Sequence, residues 1–420
     1  MEMKEKMYSL VLKGGNVFPI NRILDVGIKN GKIAEVATVI PAEEAEEVID
    51  ISGQTVLAGF VDAHLHMDMA LTADEEDAEE IFTACVRADH CIADMYQGWN
   101  KDDMLADIME RYEKLIHMCV VNGTTAIKNH ITVSDSWDMH ALEAAVRMKE
   151  KYSDLVTIKN IVPFFPDFEE KFREACEQGH VDFIGGYPNH QKPENGTLVN
   201  PVMNGRQLVD KIFELSREYD IPMDFTVDES DSDNIEMFNY IVKKTYAEHM
   251  EGRVNCTHVT AMSAKGIDED YVADSLAWAA KARVQVATAT GNDMYLMDIG
   301  RRGPTRVRQM LDAGVDVSLV SENIRDTFRP FGNGDLLDEA LLTAQVHKLF
   351  TRSELLYVAR MITILPAQNM MLQDYGVTPG CHADLVVLEA PDIQEAILSQ
   401  ADKTYVLKNG RIIAKSGQLI

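Results

Sequence analysis

Two histidines one residue apart, His64 and His66, close the apolar run Gly59-Phe60-Val61-Asp62-Ala63-His64-Leu65-His66-Met67-Asp68. Alternate side chains of an extended chain project to the same side, so the two imidazoles can share one divalent ion. Packed or surface histidines would also satisfy such a pair when it stands alone. Here other polar residues occupy equivalent places. His130 ends the run Thr124-Thr-Ala-Ile-Lys-Asn, Asp228 and Glu229 end the run from Met223, His258 ends Arg253-Val-Asn-Cys-Thr, and Glu322 ends Val315-Asp-Val-Ser-Leu-Val-Ser. If these runs are parallel strands of a barrel, their ends converge on one mouth. The chemistry this set supports is hydrolysis. A bound divalent ion lowers the pKa of water and polarises a C=O or C=N carbon. Glu229 suits the relay of a proton to a leaving nitrogen, and His258 can ligate the ion or stabilise a developing oxyanion.

The elements that would position these residues are legible as alternating patterns. Short buried runs read as strands at Val56–Ala63, Thr124–His130, Val156–Pro163, Phe183–Gly186, Met223–Asp228, Val254–His258, Val284–Ala287 and Val315–Val320. Amphipathic segments at helical spacing separate them: Met139–Tyr152, Asp167–Gly179, Gly205–Tyr219, Ile235–His249, Asp274–Ala282 and Thr305–Ala313. Eight strands interleaved with helices predict an α/β fold, a (β/α)8 TIM-like barrel over residues 58–364. Both chain ends are strand-and-turn in style, with Asn30-Gly31 and Asn409-Gly410 each set between apolar runs as hairpin turns. Neither end is long enough to bury a good core alone. Residues 1–57 and 365–420 are therefore expected to combine into one small β-sandwich domain.

Composition narrows the class. The chain has 420 residues, 46% of them hydrophobic, which suffices for a large core in two domains. A formal net charge of −28 argues against nucleic acid and anionic membrane surfaces as partners. No run approaches the roughly 18 apolar residues of a membrane span, and the charged start MEMKEKMYSLVLKGG has no apolar signal core. Six cysteines show no CxxC spacing, so reduced thiols in a cytoplasmic protein are expected.

Taken together, GFVDAHLHMD (59–68), NHITVSDS (129–136), MDFTVDESDSDN (223–234), THVTAMS (257–263), GRRGPTRVRQMLDAG (300–314) and LQDYGVTPGCHADLVVL (372–388) resemble the amidohydrolase superfamily, in its cytosine deaminase-like branch. The likeness runs through nearly the whole chain. It implies a barrel inserted in a bipartite β domain, one bound zinc or iron ion, and deamination or opening of nitrogenous rings and related amides. By position, His64 and His66 match the first-strand metal histidines, Glu229 the proton-shuttling glutamate, and His258 the sixth-strand histidine near metal and attacked carbon. The chain departs from the pattern where the fifth-strand metal histidine should fall, at Thr226, and where the eighth-strand aspartate should fall, at Glu322, preceded by Ser321 instead of histidine. A glutamine expected after strand three is replaced near Phe165-Pro166-Asp167, which argues against cytosine as substrate.

The resemblance thus predicts one divalent ion, zinc first with iron or manganese as alternatives, held by His64, His66, Glu322 and His258, with Asp228 able to stand in. Glu229, His258, Glu322 and Asp228 form the expected catalytic set. The expected substrate is a small, nitrogen-containing cyclic or amide-like molecule, with Asp167, His190, Asn292 and Arg325 as candidate pocket residues in loop-like segments after strands. Family habit and 22 methionines, which can fill adaptable apolar contacts, point to a homo-oligomer. The acidic, partly helical stretch 69–119 follows the first barrel strand, where it could cover the mouth or form a solvated helix pair. Two other readings share the scaffold: a metal-free enzyme using Asp228, Glu229, His258 and Glu322 directly as acid and base, and a non-catalytic binding relative.

Overall fold

Short runs buried on both faces form parallel strands, and eight of them follow one another around a barrel. They are β1 (Phe60–Leu65), β2 (Thr124–His130), β3 (Thr157–Pro163), β4 (Phe183–Gly186), β5 (Met223–Val227), β6 (Val254–His258), β7 (Gln285–Thr288) and β8 (Val317–Leu319). Each pairs in parallel with the next. A parallel bridge between Leu65 and Glu322 joins β1 to the chain just beyond β8 and closes the ring. The computed structural model describes residues 6–74, 96, 98–134, 137–189, 203–229, 234–296 and 303–420. Residues 75–95 and 97 of the 69–119 insertion, and His190, lie outside the described residues. Within that insertion, a helix over Lys101–Val121 starts at Asn100, whose side chain accepts from the Asp103 amide.

The helices fall where the 3.6-residue periodicity puts them, with ends set by caps. Asn204 and Gln207 form a reciprocal capping box at the start of Gly205–Tyr219. The helix expected at Asp274–Ala282 begins earlier and spans Glu269–Lys281. Asp268 accepts from the amides of Asp270 and Tyr271, a cap worth about 1 kcal/mol. That local gain adds a turn ahead of the apolar periodicity.

One expected strand is two. Val56–Ala63 divides at Gly59 into Thr55–Ala58, which belongs to the terminal sheet, and β1 of the barrel. Gly59 donates its amide to Asp384 O, whereas Phe60 donates to Gly123 O, so the chain changes sheets at that residue. A Cβ on Gly59 would stand 2.3 Å from Thr125 Oγ1. Only glycine allows this close approach to β2. Apolar composition continues unbroken through the switch, so hydrophobicity alone could not reveal it.

The chain ends build one nine-stranded sheet. Its joint is the antiparallel pairing of Thr55–Ala58 with Leu385–Leu388. Both Asn-Gly turns adopt left-handed backbone, at φ 51° and 76° for Asn30-Gly31 and 47° and 73° for Asn409-Gly410. The turns meet: Ala383 donates to Gly31 O, and Gly410 donates to Ala383 O. At the barrel's other side of this joint, Ala367 and Met370 pack with Val61, Ala63, Ala126, Ala287, Ala289 and Val320. Small side chains there let the segment Ile364–Asn369 sit close to the strands.

Candidate active site

The polar residues that end the strands do gather. His64 lies within β1 and is fully buried, and His66 follows it. His130 is the last residue of β2, and its ring centroid lies 4.8 Å from that of His64 and 4.7 Å from that of His66. Glu322 Oε1 stands 3.6 Å from His64 Nε2, 3.4 Å from His66 Nε2 and 3.1 Å from His258 Nε2. Glu229 Oε2 reaches to 3.7 Å from the same His258 nitrogen. Side-chain exposure rises from 0% at His64, 1% at His258 and 4% at Glu322 to 12% at His66 and 20% at Glu229. Glu229 is thus the most exposed of these groups and His64 the most enclosed.

Backbone geometry aims these groups. Asp228, His258 and Glu322 have φ of 49°, 71° and 61°, a left-handed conformation that costs a non-glycine residue about 1–3 kcal/mol and clusters at functional positions. Surrounding contacts hold it. Thr305 Oγ1 donates to His258 O at 2.6 Å. Glu322 donates its amide to His64 O at 3.0 Å and accepts from the His66 amide at 2.9 Å. Asn129 Oδ1 accepts from the Met67 amide at 3.2 Å and ties the turn after β1 to the end of β2.

Electrostatics separates the histidines into two kinds. Burial pushes His64 down to about 4, against the pull of Glu322 and Asp224. Burial, reinforced by the neighbouring His66 and His64 rings, takes His130 well below the ordinary imidazole value. Both are neutral and offer lone pairs. Burial alone would also lower His258, but Glu229, Glu322 and Asp293 raise it well above that value. For Glu322, burial acts upward, yet His64 and His258 hold the carboxyl well below the usual carboxylate range. His258 is thus biased toward the imidazolium form, with Nδ1 on Asp293 Oδ1 at 3.0 Å and Nε2 on the Glu322 carboxylate.

Three buried atoms in this group, His64 Nε2, His66 Nδ1 and Glu322 Oε2, have no hydrogen-bond partner. An unsatisfied buried polar atom costs about 1–3 kcal/mol, so these atoms leave coordination or hydrogen-bonding capacity unused. His64, His66 and His130 each present a ligand atom, all within 4.8 Å of one another. Imidazoles beside a carboxylate are a donor set for a divalent transition ion, and these residues fit one. Against the effect of burial, Glu322 raises the His66 pKa, so an ion bound there would displace a proton.

The other expected residues are distributed unevenly. Asp228 Oδ1 accepts from Asn189 Nδ2 at 2.7 Å and its Oδ2 from the Phe238 amide at 2.8 Å, so one oxygen serves the chain beyond β4 and the other the helix Glu236–Ala247. Asn292 is buried at the start of the helix Thr290–Leu296, with Oδ1 unpartnered. Arg325 is half-buried and donates from Nε to Gly332 O. Asp167 is exposed in a short 3-10 turn after β3. Thr226 is buried on β5 with its hydroxyl unpartnered.

Sequence reasoning gave no role to three residues that the structure places here. His130 stood at a strand end like the others. Asp293, next to Asn292, orients His258 and accepts from Thr305 Oγ1 at 3.2 Å. Lys128 lies two residues before His130 on β2 and is fully buried, with Nζ 2.5 Å from Asp224 Oδ2; Asp224 Oδ1 in turn lies 3.8 Å from His64 Nδ1. A lysine at alternate spacing from a strand-end histidine was the available signal.

Comparisons with known proteins agree with this architecture. The model of the amidohydrolase family matches residues 189–414. The chain is 28% identical to N-isopropylammelide isopropyl amidohydrolase of Pseudomonas sp. (strain ADP), over 99% of each. It is 24% identical to pterin deaminase of Rhizobium rhizogenes, over 93% of this chain and 88% of that one. Among solved structures, 5-methylcytosine deaminase from Klebsiella pneumoniae, liganded with phosphonocytosine, superposes with a TM-score of 0.80 at 21% identity, covering 96% of this chain and 98% of the other. That last likeness shows the shared fold.

Proposed function

The chain belongs to the amidohydrolase family, and from that premise we propose that it hydrolyses a C–N bond of a small, planar, nitrogen-rich ring. The observation that carries this reading is the convergence of Glu229, His258 and Glu322 with His64 and His66 on one mouth. Relatives that include an N-isopropylammelide amidohydrolase and a pterin deaminase support a cyclic substrate carrying an amino or alkylamino group. Cytosine itself is a poor candidate, because the resemblance expects a glutamine near Phe165-Pro166-Asp167 to face its amide edge and the chain has none there.

His64, His66 and Glu322 would hold a divalent ion, zinc before iron or manganese. The ion would supply an acidic water and a polarised ring carbon. The rest of the chemistry belongs to side chains. His258, biased toward the protonated form by Glu229, Glu322 and Asp293, would exchange its Nε2 contact with Glu322 for one with charge developing on the ring nitrogen or oxygen. Glu229 is the most exposed of these groups. It takes the proton from the attacking water and returns it to the departing nitrogen. Asp293 keeps the His258 ring from turning, and the buried walls around His64 exclude competing water.

The test is a panel of N-alkylamino triazines, aminopyrimidines and pterins, assayed for release of ammonia or alkylamine by chelator-treated protein with and without added Zn2+, Fe2+ or Mn2+. Metal-dependent release from at least one ring supports the proposal. Turnover that ignores chelation would instead favour direct acid–base action by Glu229, His258 and Glu322. No turnover of any ring by metal-loaded protein would reject hydrolysis of this class.

A further inference from the structure

The resemblance to the cytosine deaminase-like branch puts a metal histidine at position 226, and this chain has threonine there. A neutral hydroxyl is a weak ligand for ions that imidazole binds well. Thr226 Oγ1 is buried and bonded to nothing. On the other side of β1, however, the end of β2 carries His130, which is fully buried and belongs to the one group of three potential ligands found among the described residues.

We propose that His130 takes the ligand place left by Thr226, so that the ion is held by His64, His66, His130 and Glu322 on the side of the barrel where β1, β2 and β8 meet. This rests on the metal-dependent reading above. Strand pairing makes it possible. Leu65 of β1 is the partner of Asn129 of β2, so His64 and His66 flank one member of the pair and His130 follows the other. The three rings accordingly pack within 4.7–5.4 Å of one another, centroid to centroid.

Two further observations agree. Tyr187 Oη lies 3.3 and 3.2 Å from His130 Nδ1 and Nε2, at the ring edge between them. It can therefore orient whichever nitrogen faces away from the ion, as outer partners of metal-bound imidazoles do. Glu322 replaces a shorter aspartate, and its longer stem brings Oε1 to 3.6 and 3.4 Å from His64 and His66. The two departures from the family pattern thus compensate each other, shifting the ligand set from β5 toward β2.

The experiment measures Zn2+ affinity by chelator competition, and the hyperfine-shifted exchangeable imidazole protons of the Co2+-loaded protein by NMR. The proteins are the parent, His64→Ala, His130→Ala, His130→Asn and Thr226→Val, each checked for folding without metal by thermal melting. Outer partners alone are worth about 10–100-fold in affinity, so loss of a direct ligand should weaken binding by about a hundredfold or more in both His130 variants. Thr226→Val should bind like the parent. The Co2+ parent should show three shifted imidazole protons and His130→Asn two. If His130→Ala does not fold, His130→Asn and the proton count of the parent decide. Parent-like affinity in His130→Asn, or only two shifted imidazole protons in the parent, overturns the His130 assignment alone, provided His64→Ala has lost the ion. A folded parent that takes up neither Zn2+ nor Co2+ overturns the metal-dependent reading and this inference with it.

Discussion

The Glu322 carboxylate lies 3.1 Å from His258 Nε2, joining two residues whose backbones both turn left-handed at the ends of their strands. The contact adds to His64 in pulling the Glu322 carboxyl down and to Glu229 in pushing the His258 imidazole up. His258 is bound at its other nitrogen by Asp293. Its ring is therefore held at both nitrogens, and donation from Nε2 to a substrate exchanges the contact with Glu322 for one with the substrate.

Glu229→Gln keeps the shape of the side chain and removes its ability to carry a proton. Turnover should fall by about 10²–10⁴-fold, while metal content and KM stay near the parent values. Steady-state kinetics with metal analysis checks this. A variant with parent-like kcat would show that another group moves the proton.

Asp293→Asn should leave metal content unchanged, since Asp293 contacts His258 and Thr305. Its loss removes the charge that orients and protonates His258. The expected drop in kcat is between about tenfold and 10⁴-fold, with a smaller change in KM. An equal change in both parameters would point to a disturbed pocket rather than to lost orientation.

How much of this could be read in advance differs from residue to residue. His64, His66, Glu229, His258 and Glu322 end apolar runs, and that pattern alone brought them together. The terminal hairpins followed from Asn-Gly turns whose backbone demands are local. The division at Gly59 was not readable, because both halves are apolar and only a contact with Thr125, across the fold, requires the glycine. His130 went unassigned for the opposite reason. Its type and place were visible, and a barrel makes strand two the neighbour of strand one, but nothing in a linear chain gives the register that sets His130 against His64 and His66. The Lys128–Asp224 pair likewise depends on β2 and β5 facing each other through the barrel interior.

Lys128→Met tests that pair. Lys128 Nζ lies 2.5 Å from Asp224 Oδ2 and also bonds Asn369 Oδ1, all fully buried. Removing the cation strands a buried carboxylate and should destabilise the protein by about 3–5 kcal/mol. Adding Asp224→Asn should recover part of the loss. Denaturant titration of the two single variants and the double variant measures the coupling. Additive losses would mean that the pair does not act as a unit.

Asp228 gives a pH dependence of stability. Burial raises its folded-state pKa to about 6, against hydrogen bonds from Phe238 and Asn189. The unfolded value is about 3.9. A raised carboxyl favours the fold while protonated, so its contribution is complete below about pH 4 and is lost as pH rises through about 6. Asp228→Asn lacks this titration but leaves an amide facing two donors, Asn189 Nδ2 and the Phe238 amide. The parent should be the more stable protein at pH 4, with the difference in melting temperature narrowing by pH 7. A gap that widens over that range would mean that the hydrogen bonds outweigh burial.

The bridge between Leu65 and Glu322 reaches beyond geometry. The residues on either side of this seam, His64, His66 and Glu322, are the groups expected to hold the ion, and their own backbones are hydrogen-bonded across it. Barrel closure and assembly of the site are therefore one event. The two edges come from opposite ends of the barrel sequence, and contacts between distant segments form late because the intervening chain must first be ordered. A newly made chain with seven strands in place would have neither a closed ring nor a complete ligand set. Ion binding would then act as a latch on the final folding step, drawing β1 and β8 together and slowing their separation in the finished protein.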